Sequence, residues 1–270
     1  MPQPAHMTGR TLLGGFQLQL RVIGALMMRE LHTRYGREGI GFAWFIGEPM
    51  VFTFGVVALW STTRGSVEHG ISVIAFVITG YTPLVMWRHC FAQSVSALKS
   101  NGGLLYHKQI TFLDIILTRC ALEIAGSVLT FAISILVFAA LLGLVKGPHG
   151  DPTLLVSGFL LFAWFCIATA LIVAPVTELF HTAEKLAQIV GYIFIPLSGA
   201  FWMVDWLPGW IQKYVVMMPS VSGYEMMRAG YFGNDVKSIY DPVIPMFVCA
   251  VMTLFGLLIM RRARNQLAVE

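Results

Sequence analysis

The chain has 270 residues, of which 57% are hydrophobic and only 12% charged, with a net charge of +4 and a mean hydropathy of +0.73. That balance excludes an ordinary soluble globular domain and marks an integral membrane protein. The positive charge gathers in particular loops, so it reads as membrane topology and not as affinity for nucleic acid.

The first element is a helix bearing Arg29, Arg34 and Arg37 that ends at a cluster of three glycines, Gly36, Gly39 and Gly41. No apolar h-region with a small-residue cleavage site precedes Arg21, so a removable signal peptide is not expected. At about 100° per residue, Leu20, Ile23, Met27 and Leu31 share one arc while Arg21, Arg29, His32 and Thr33 lie opposite, with Val22 as the exception. A basic face over an apolar stripe predicts a helix lying in the membrane interface, drawn to an anionic leaflet. Docking alone would explain it; a functional role adds Arg29, Arg34 and Arg37 as attractors of an anionic substrate at an entrance.

A crossing needs roughly 20 apolar residues, and candidate spans run over 40–60, 70–87, 120–145, 153–177, 186–204 and 241–260. Six crossings place both termini on one side. Of the 18 lysines and arginines, all but Arg64, Lys146, Lys213, Arg228 and Lys237 then fall on that side, which the positive-inside rule makes cytoplasmic. The expected fold is therefore all-α, in two parts. Residues 1–38 form a cytoplasmic segment with the amphipathic interfacial helix, and 39–270 form a six-helix membrane domain with a re-entrant helical hairpin before the last span.

Within the first span Glu48 is costly unless it faces water or a partner, so it is expected to face the protein interior. Pro49 removes the next backbone donor and can kink or open the helix there. Arg88, close to the end of the second span, joins the candidate entrance cations. The large inner loop, 92–112, contains Gly102, Gly103, Leu104, Leu105, Tyr106, His107 and Lys108. A glycine pair followed by a short mixed segment is suited to a small surface helix that could insert into a cytoplasmic partner; a plain connector is the alternative. Asp114, Arg119 and Glu123 start the third span at spacings of about one turn, as a satisfied interfacial network would.

The segment 205–240 opens DWLPGWIQKYVVMMP, with Leu207, Ile211, Val215 and Met218 at helical apolar spacing. Trp206, Trp210 and Tyr214 can anchor at the headgroup level, and a second short helix follows from Pro219 to Phe232. Both pieces are too short to span, so they read as a re-entrant hairpin or as a surface loop with aromatic anchors. Here Glu225 and Arg228 are expected to form an i,i+3 pair. Trp44, Trp60, Tyr81, Trp87, Trp164, Tyr192 and Trp202 sit in or at the ends of spans, as belt or packing residues or as the lining of a sugar-passing channel. Cys90, Cys120, Cys166 and Cys249 are widely spaced and signal neither a zinc site nor a disulfide framework. They are expected to pack as small apolar residues.

There is no phosphate-binding G-x-x-x-x-G-K-[ST] loop and no hydrolase or zinc-protease motif, so no catalytic residue is assigned. Nor is there an evident internal repeat of the kind that builds secondary carriers. A proton-driven carrier relaying through Glu48 and a membrane enzyme acting on lipid-linked sugars remain as alternatives.

The run MMRELHTRYGREGIGFAWFIGEPM, 27–50, resembles the start of permease subunits of bacterial ABC exporters for capsular polysaccharide, relatives of the O-antigen and teichoic acid export permeases. Arg29, Glu30, Thr33, Arg34, Tyr35, Gly41, Trp44, Glu48 and Pro49 carry it, with Pro219, Glu225, Arg228, Gly230 and Phe232 later. Met218 departs from the asparagine that many relatives carry. The resemblance implies an inner-membrane homodimer with two ATP-binding cassette subunits beneath, which would bind ATP and magnesium while this chain binds no cofactor. It also implies that a lipid-linked acidic polysaccharide passes between the two permeases towards periplasmic and outer-membrane export proteins. Arg29, Arg34, Arg37, Arg88, Trp44, Glu48, Tyr81 and Trp87 are then the expected entrance and channel residues, and Gly102 to Lys108 the ATPase-coupling segment.

Overall fold

The computed structural model describes residues 12–35, 41–95, 97, 110–180 and 182–267. Nine α-helices occur among them: α1 (Leu12–Tyr35), α2 (Gly41–Arg64), α3 (Val73–Val95), α4 (Phe112–Ile135), α5 (Pro152–Leu179), α6 (Ala183–Leu197), α7 (Gly209–Val215), α8 (Pro219–Phe232) and α9 (Val243–Leu267). A π-helical segment, Leu136–Leu141, extends α4. The only strands among these residues are a two-residue ribbon between α2 and α3, Val67–Glu68 paired with Ile71–Ser72. Positive φ at His69 and Gly70 lets it turn within two residues.

Helix starts follow local chemistry. Thr111 and Asp114 form a capping box: the Thr111 hydroxyl accepts from the Asp114 amide at 3.3 Å, and the Asp114 carboxylate accepts from the Thr111 amide at 2.9 Å. Asp151 caps α5 by accepting from the Thr153 amide at 2.8 Å, with Pro152 at the first helical position.

Among the described residues, four stretches are long and apolar enough to cross a membrane: Ala43–Arg64, Phe112–Leu141, Pro152–Leu179 and Val243–Arg264. The sequence places two further spans at 70–87 and 186–204. In the first of these α3 has 23 residues with Pro83, Arg88 and His89 inside it, and in the second α6 has only 15. Beyond Leu197 the chain leaves the helix, with Gly199 at φ +92°. Both α3 and α4 reach further into the expected inner loop than hydropathy predicts. α2 runs unbroken through a buried Pro49, so the expected opening of this helix does not occur. Phe45, Pro49, Thr53 and Val57 form its buried face at four-residue spacing.

The main core lies between α3, α4, α5 and α8, and all four cysteines belong to it. Widely spaced in sequence, Cys90, Cys120 and Cys166 converge from three helices, with the Cys90 thiol in hydrogen-bonding reach of the other two. α8 is buried along nearly its whole length against α5. Their backbones touch: a Cβ on Gly230 would come within 2.2 Å of the Leu155 nitrogen, and one on Gly158 within 2.6 Å of the Met227 nitrogen. Only glycine permits that approach.

Candidate functional site

At the α1 end of the bundle, Leu26 and Glu30 are the buried residues of α1, while the apolar stripe that the sequence displays is half-buried at Ile23, Met27 and Leu31 and exposed at Leu20. Glu30 is only 7% exposed and accepts from Arg119 Nε at 3.1 Å. Arg119 Nη1 in turn donates to the Gln93 carbonyl on α3 at 2.7 Å. One guanidinium thus joins α1, α3 and α4. Asp114, besides capping α4, accepts from Gln19 at 3.1 Å, and Glu123 pairs with His89 at 3.1 Å. The three ionisable groups at the start of α4 are each satisfied as expected, but by partners on other helices. Glu30 carries this junction, and helical periodicity alone ranks it as one polar residue among several. Arg29 is half-buried, with Nη2 3.6 Å from Glu30. Arg34 falls in the last turn of α1; its side chain, Arg37, and the whole run Gly102, Gly103, Leu104, Leu105, Tyr106, His107 and Lys108 lie outside the described residues.

Among the described residues, the sides of α2, α3 and α6 leave a long face uncovered. On α2, Trp44 (57% exposed), Val51, Phe52 and Leu59 are exposed, and half-buried Glu48 lies in the same arc. Glu48 therefore borders this face instead of pointing into the core, and makes no ion pair or side-chain hydrogen bond among the described residues. α6 buries a single residue, Ala187, and exposes Leu186, Ile189, Val190, Tyr192, Ile193 and Leu197. Between them Arg88 of α3 is exposed, its guanidinium 5.8 Å from the centre of the Phe52 ring. Trp87, its neighbour in sequence, turns the other way. It is enclosed between Phe91 and Phe194 at ring distances of 4.8 and 3.9 Å, so it lines no surface of the chain.

From Tyr81 towards the α8 end the aromatic rings form a ladder. Tyr81 meets Phe201 at 6.4 Å, Phe201 meets Trp60 at 5.4 Å, Trp60 meets Phe76 at 6.4 Å, Phe76 meets Trp206 at 5.2 Å, and Trp206 stacks on His69 at 4.4 Å. Trp206 is accordingly a packed rung, unlike Trp210 (70% exposed) and Tyr214, which project from α7 as surface anchors would. Trp60, Tyr81 and Trp206 stand out in the sequence singly. Phe76, Phe201 and His69, which connect them, carry no local signal.

Glu225 and Arg228 do not form the i,i+3 ion pair that their spacing predicts. Arg228 is completely buried and donates to three carbonyls in the irregular stretch after α6: Gly199 at 2.9 Å, Ala200 at 2.6 Å and Trp202 at 2.7 Å. Its guanidinium also lies 4.2 Å from the Phe76 ring centre. Glu225 accepts from the amides of Val204 at 3.0 Å and Ile239 at 3.1 Å. These charge-assisted bonds satisfy backbone groups that leave the helical ladder. Pro219 begins α8 at a position where a missing amide costs nothing. Close by, His149 bonds to the Gly147 carbonyl and pairs with Asp235 at 2.9 Å. Those two partners favour the imidazolium and raise the His149 pKa above its ordinary value.

A long-helix, apolar chain with buried charge junctions and an irregular segment held by protein groups is a membrane protein of the multi-helix kind, and comparison with known proteins defines the class. Residues 21–232 match the model of the family described as ABC-2 type transporter, and the chain belongs to that family. Among its relatives is the capsule polysaccharide export inner-membrane protein CtrC of Neisseria meningitidis serogroup B, 40% identical over 240 residues, covering 89% of this chain and 90% of the relative. The capsule polysaccharide export inner-membrane protein BexB of Haemophilus influenzae is 38% identical over 222 residues, covering 81% and 82%. The polysialic acid transport protein KpsM of Escherichia coli is 25% identical over 260 residues, covering 93% and 96%.

Proposed function

We propose that this chain is the inner-membrane permease of an ATP-driven exporter that carries lipid-linked acidic capsular polysaccharide to the periplasm through a channel between two copies of itself. The observation that carries the proposal is 40% identity, across nine-tenths of both chains, to a protein named for capsule polysaccharide export. ATP and magnesium belong to a pair of separate ATP-binding cassette subunits, since this sequence has no phosphate loop. Periplasmic and outer-membrane proteins continue the path.

In this reading α2, α3, α4, α5, α6 and α9 cross the membrane, with both termini cytoplasmic, and α1 lies in the inner interface. α6, about 22 Å long at 1.5 Å per residue, is shorter than a hydrocarbon core of about 30 Å. The irregular stretch after it supplies the remaining depth, and irregular backbone is tolerated there when protein groups satisfy it, as the Arg228 bonds do. α7 and α8 form the re-entrant pair on the periplasmic side. The α2–α3–α6 face lines the passage, where Arg88 attracts the anionic glycolipid and Trp44 and Tyr81 offer flat apolar surfaces to sugar rings; Arg29, Arg34 and Arg37, at and beyond the end of α1, draw it to the entrance. Glu48 at the edge of this face avoids hydrocarbon by meeting water in that passage. The 92–112 segment couples to the ATPase.

The test is to purify the tagged chain from its own host and assay the complex. An ATP-binding cassette subunit should co-purify, with hydrolysis stimulated by the host glycolipid, and cells lacking the chain should retain polymer in the cytoplasm. A chain purified without an ATPase, or export that persists without it, overturns the proposal.

A further inference from the structure

A groove of about 460 Å³ runs between α3 and α6, lined by Arg88, Phe91, Val95, Gln188, Tyr192 and Ile195 among others. Its size lies in the range of small-molecule sites, roughly 300–1,000 Å³. Arg88 differs from the buried cations of the chain. Arg119 has Glu30, and Arg228 has three carbonyls. Arg88 makes no ion pair or hydrogen bond among the described residues; its guanidinium lies 5.8 Å from the centre of the Phe52 ring, with the Tyr81 phenol in electrostatic reach. Its flanking residues Met86, Trp87, Cys90 and Phe91 are buried, so α3 cannot turn to take the charge elsewhere. A guanidinium set beside an exposed apolar face is costly without water or an anion next to it.

The other polar groups of the groove narrow the anion. Gln188 and Tyr192 are one turn apart on α6, and Tyr192 is 74% exposed, so its ring is a free flat surface. A single planar fork matches a planar carboxylate in two parallel bonds. An exposed ring and an amide beside that fork suit a sugar's C–H face and its hydroxyl groups. We propose that the α3–α6 groove is a binding site for an acidic sugar unit of the exported polymer, with its carboxylate on Arg88, its ring face on Tyr192 and a hydroxyl on Gln188. The proposal rests on the export function above and adds a carboxylate-reading site to it.

The experiment uses the full-length chain in lipid nanodiscs, with a fluorescent tetramer of hexuronic acid and its carboxyl-reduced neutral counterpart as probes. The acidic tetramer should bind about tenfold more tightly than the neutral one, and Arg88→Gln should remove that preference, the loss expected for a charge-assisted bond. Tyr192→Ala should weaken both probes alike. Equal binding of the two tetramers, an unchanged preference in Arg88→Gln, or displacement by short-chain phosphatidic acid with no binding of the oligosaccharides, overturns the proposal. Export by the same variants in cells separates the two levels. If the wild-type chain exports polymer and the variants match it at equal membrane abundance, the groove assignment fails and the export function stands; if the wild-type chain supports no export, the function itself fails.

Discussion

Two regions of this chain are built on opposite terms. Around α8, charge and backbone are fully enclosed: glycines bring α5 and α8 into backbone contact, and Arg228 and Glu225 fasten the irregular segments on either side. Along α2 and α6 the chain exposes a broad apolar face with Glu48 at its edge, and Arg88 has no acid beside it among the described residues. α9 offers a useful third case. Its exposed Val243, Phe247, Val251, Leu254 and Leu258 are purely apolar, as a surface meeting lipid should be. Enclosure around α8 gives a fixed frame, while polar groups set into an apolar face suit the passage proposed above.

The sharpest break falls on the frame. Arg228→Met leaves three buried carbonyls without their donor and should cost about 3 kcal/mol or more. That lowers the thermal midpoint in detergent by roughly 10 °C, and a drop of only a degree or two would mean that Arg228 does not hold the segment after α6. At the α1 end, Glu30→Ala strands Arg119 in a buried site and should cost about 3 kcal/mol, whereas the double variant Glu30→Met, Arg119→Met should recover most of it. Additive losses in that cycle would dissolve the junction. Gly230→Ala must push α8 off Leu155 and should cost about 1–3 kcal/mol. Gly55→Ala on the open side of α2 meets no atom within 4 Å and serves as its neutral control. Equal midpoints for these two alanines would erase the contrast between the regions.

The smallest effect is a pH dependence. The folded pKa of His149 is raised, so its pair with Asp235 contributes fully below the unfolded value of about 6.5 and is lost as pH rises through the folded value. As an exposed pair it amounts to no more than about 1 kcal/mol. The wild-type midpoint should fall slightly between about pH 6 and 8, and His149→Gln should flatten that slope.

Local patterns in the sequence predicted the elements well and their partners poorly. Proline at 219 and glycine at 233 frame α8 as Pro219–Phe232, the bounds expected from composition, because capping chemistry is local. Hydropathy marked α2, α4, α5 and α9. It overran α6, because Ser198 and Gly199 end the helix inside an apolar stretch and their backbone is satisfied by Arg228, 29 residues away from Gly199. Trp87 and Arg88 show the same limit at the candidate site. Adjacent in sequence and similar in standing as channel residues, they point to opposite sides of α3, and only the packing of Phe194 against one of them decides which lies inside. Glu30 is legible only once Arg119 is opposite it, and the three core thiols only once their helices meet.

The claim that the α2–α3–α6 face carries the polymer is tested most directly by photo-crosslinking in cells that are exporting it. A photoreactive phenylalanine would replace Trp44, Tyr192 or, on α9, Phe247, each variant first being shown to export. The account predicts polymer adducts at positions 44 and 192 and none at 247; adducts at 247 as abundant as at 44 and 192, or none at 44 and 192 during active export, would contradict it.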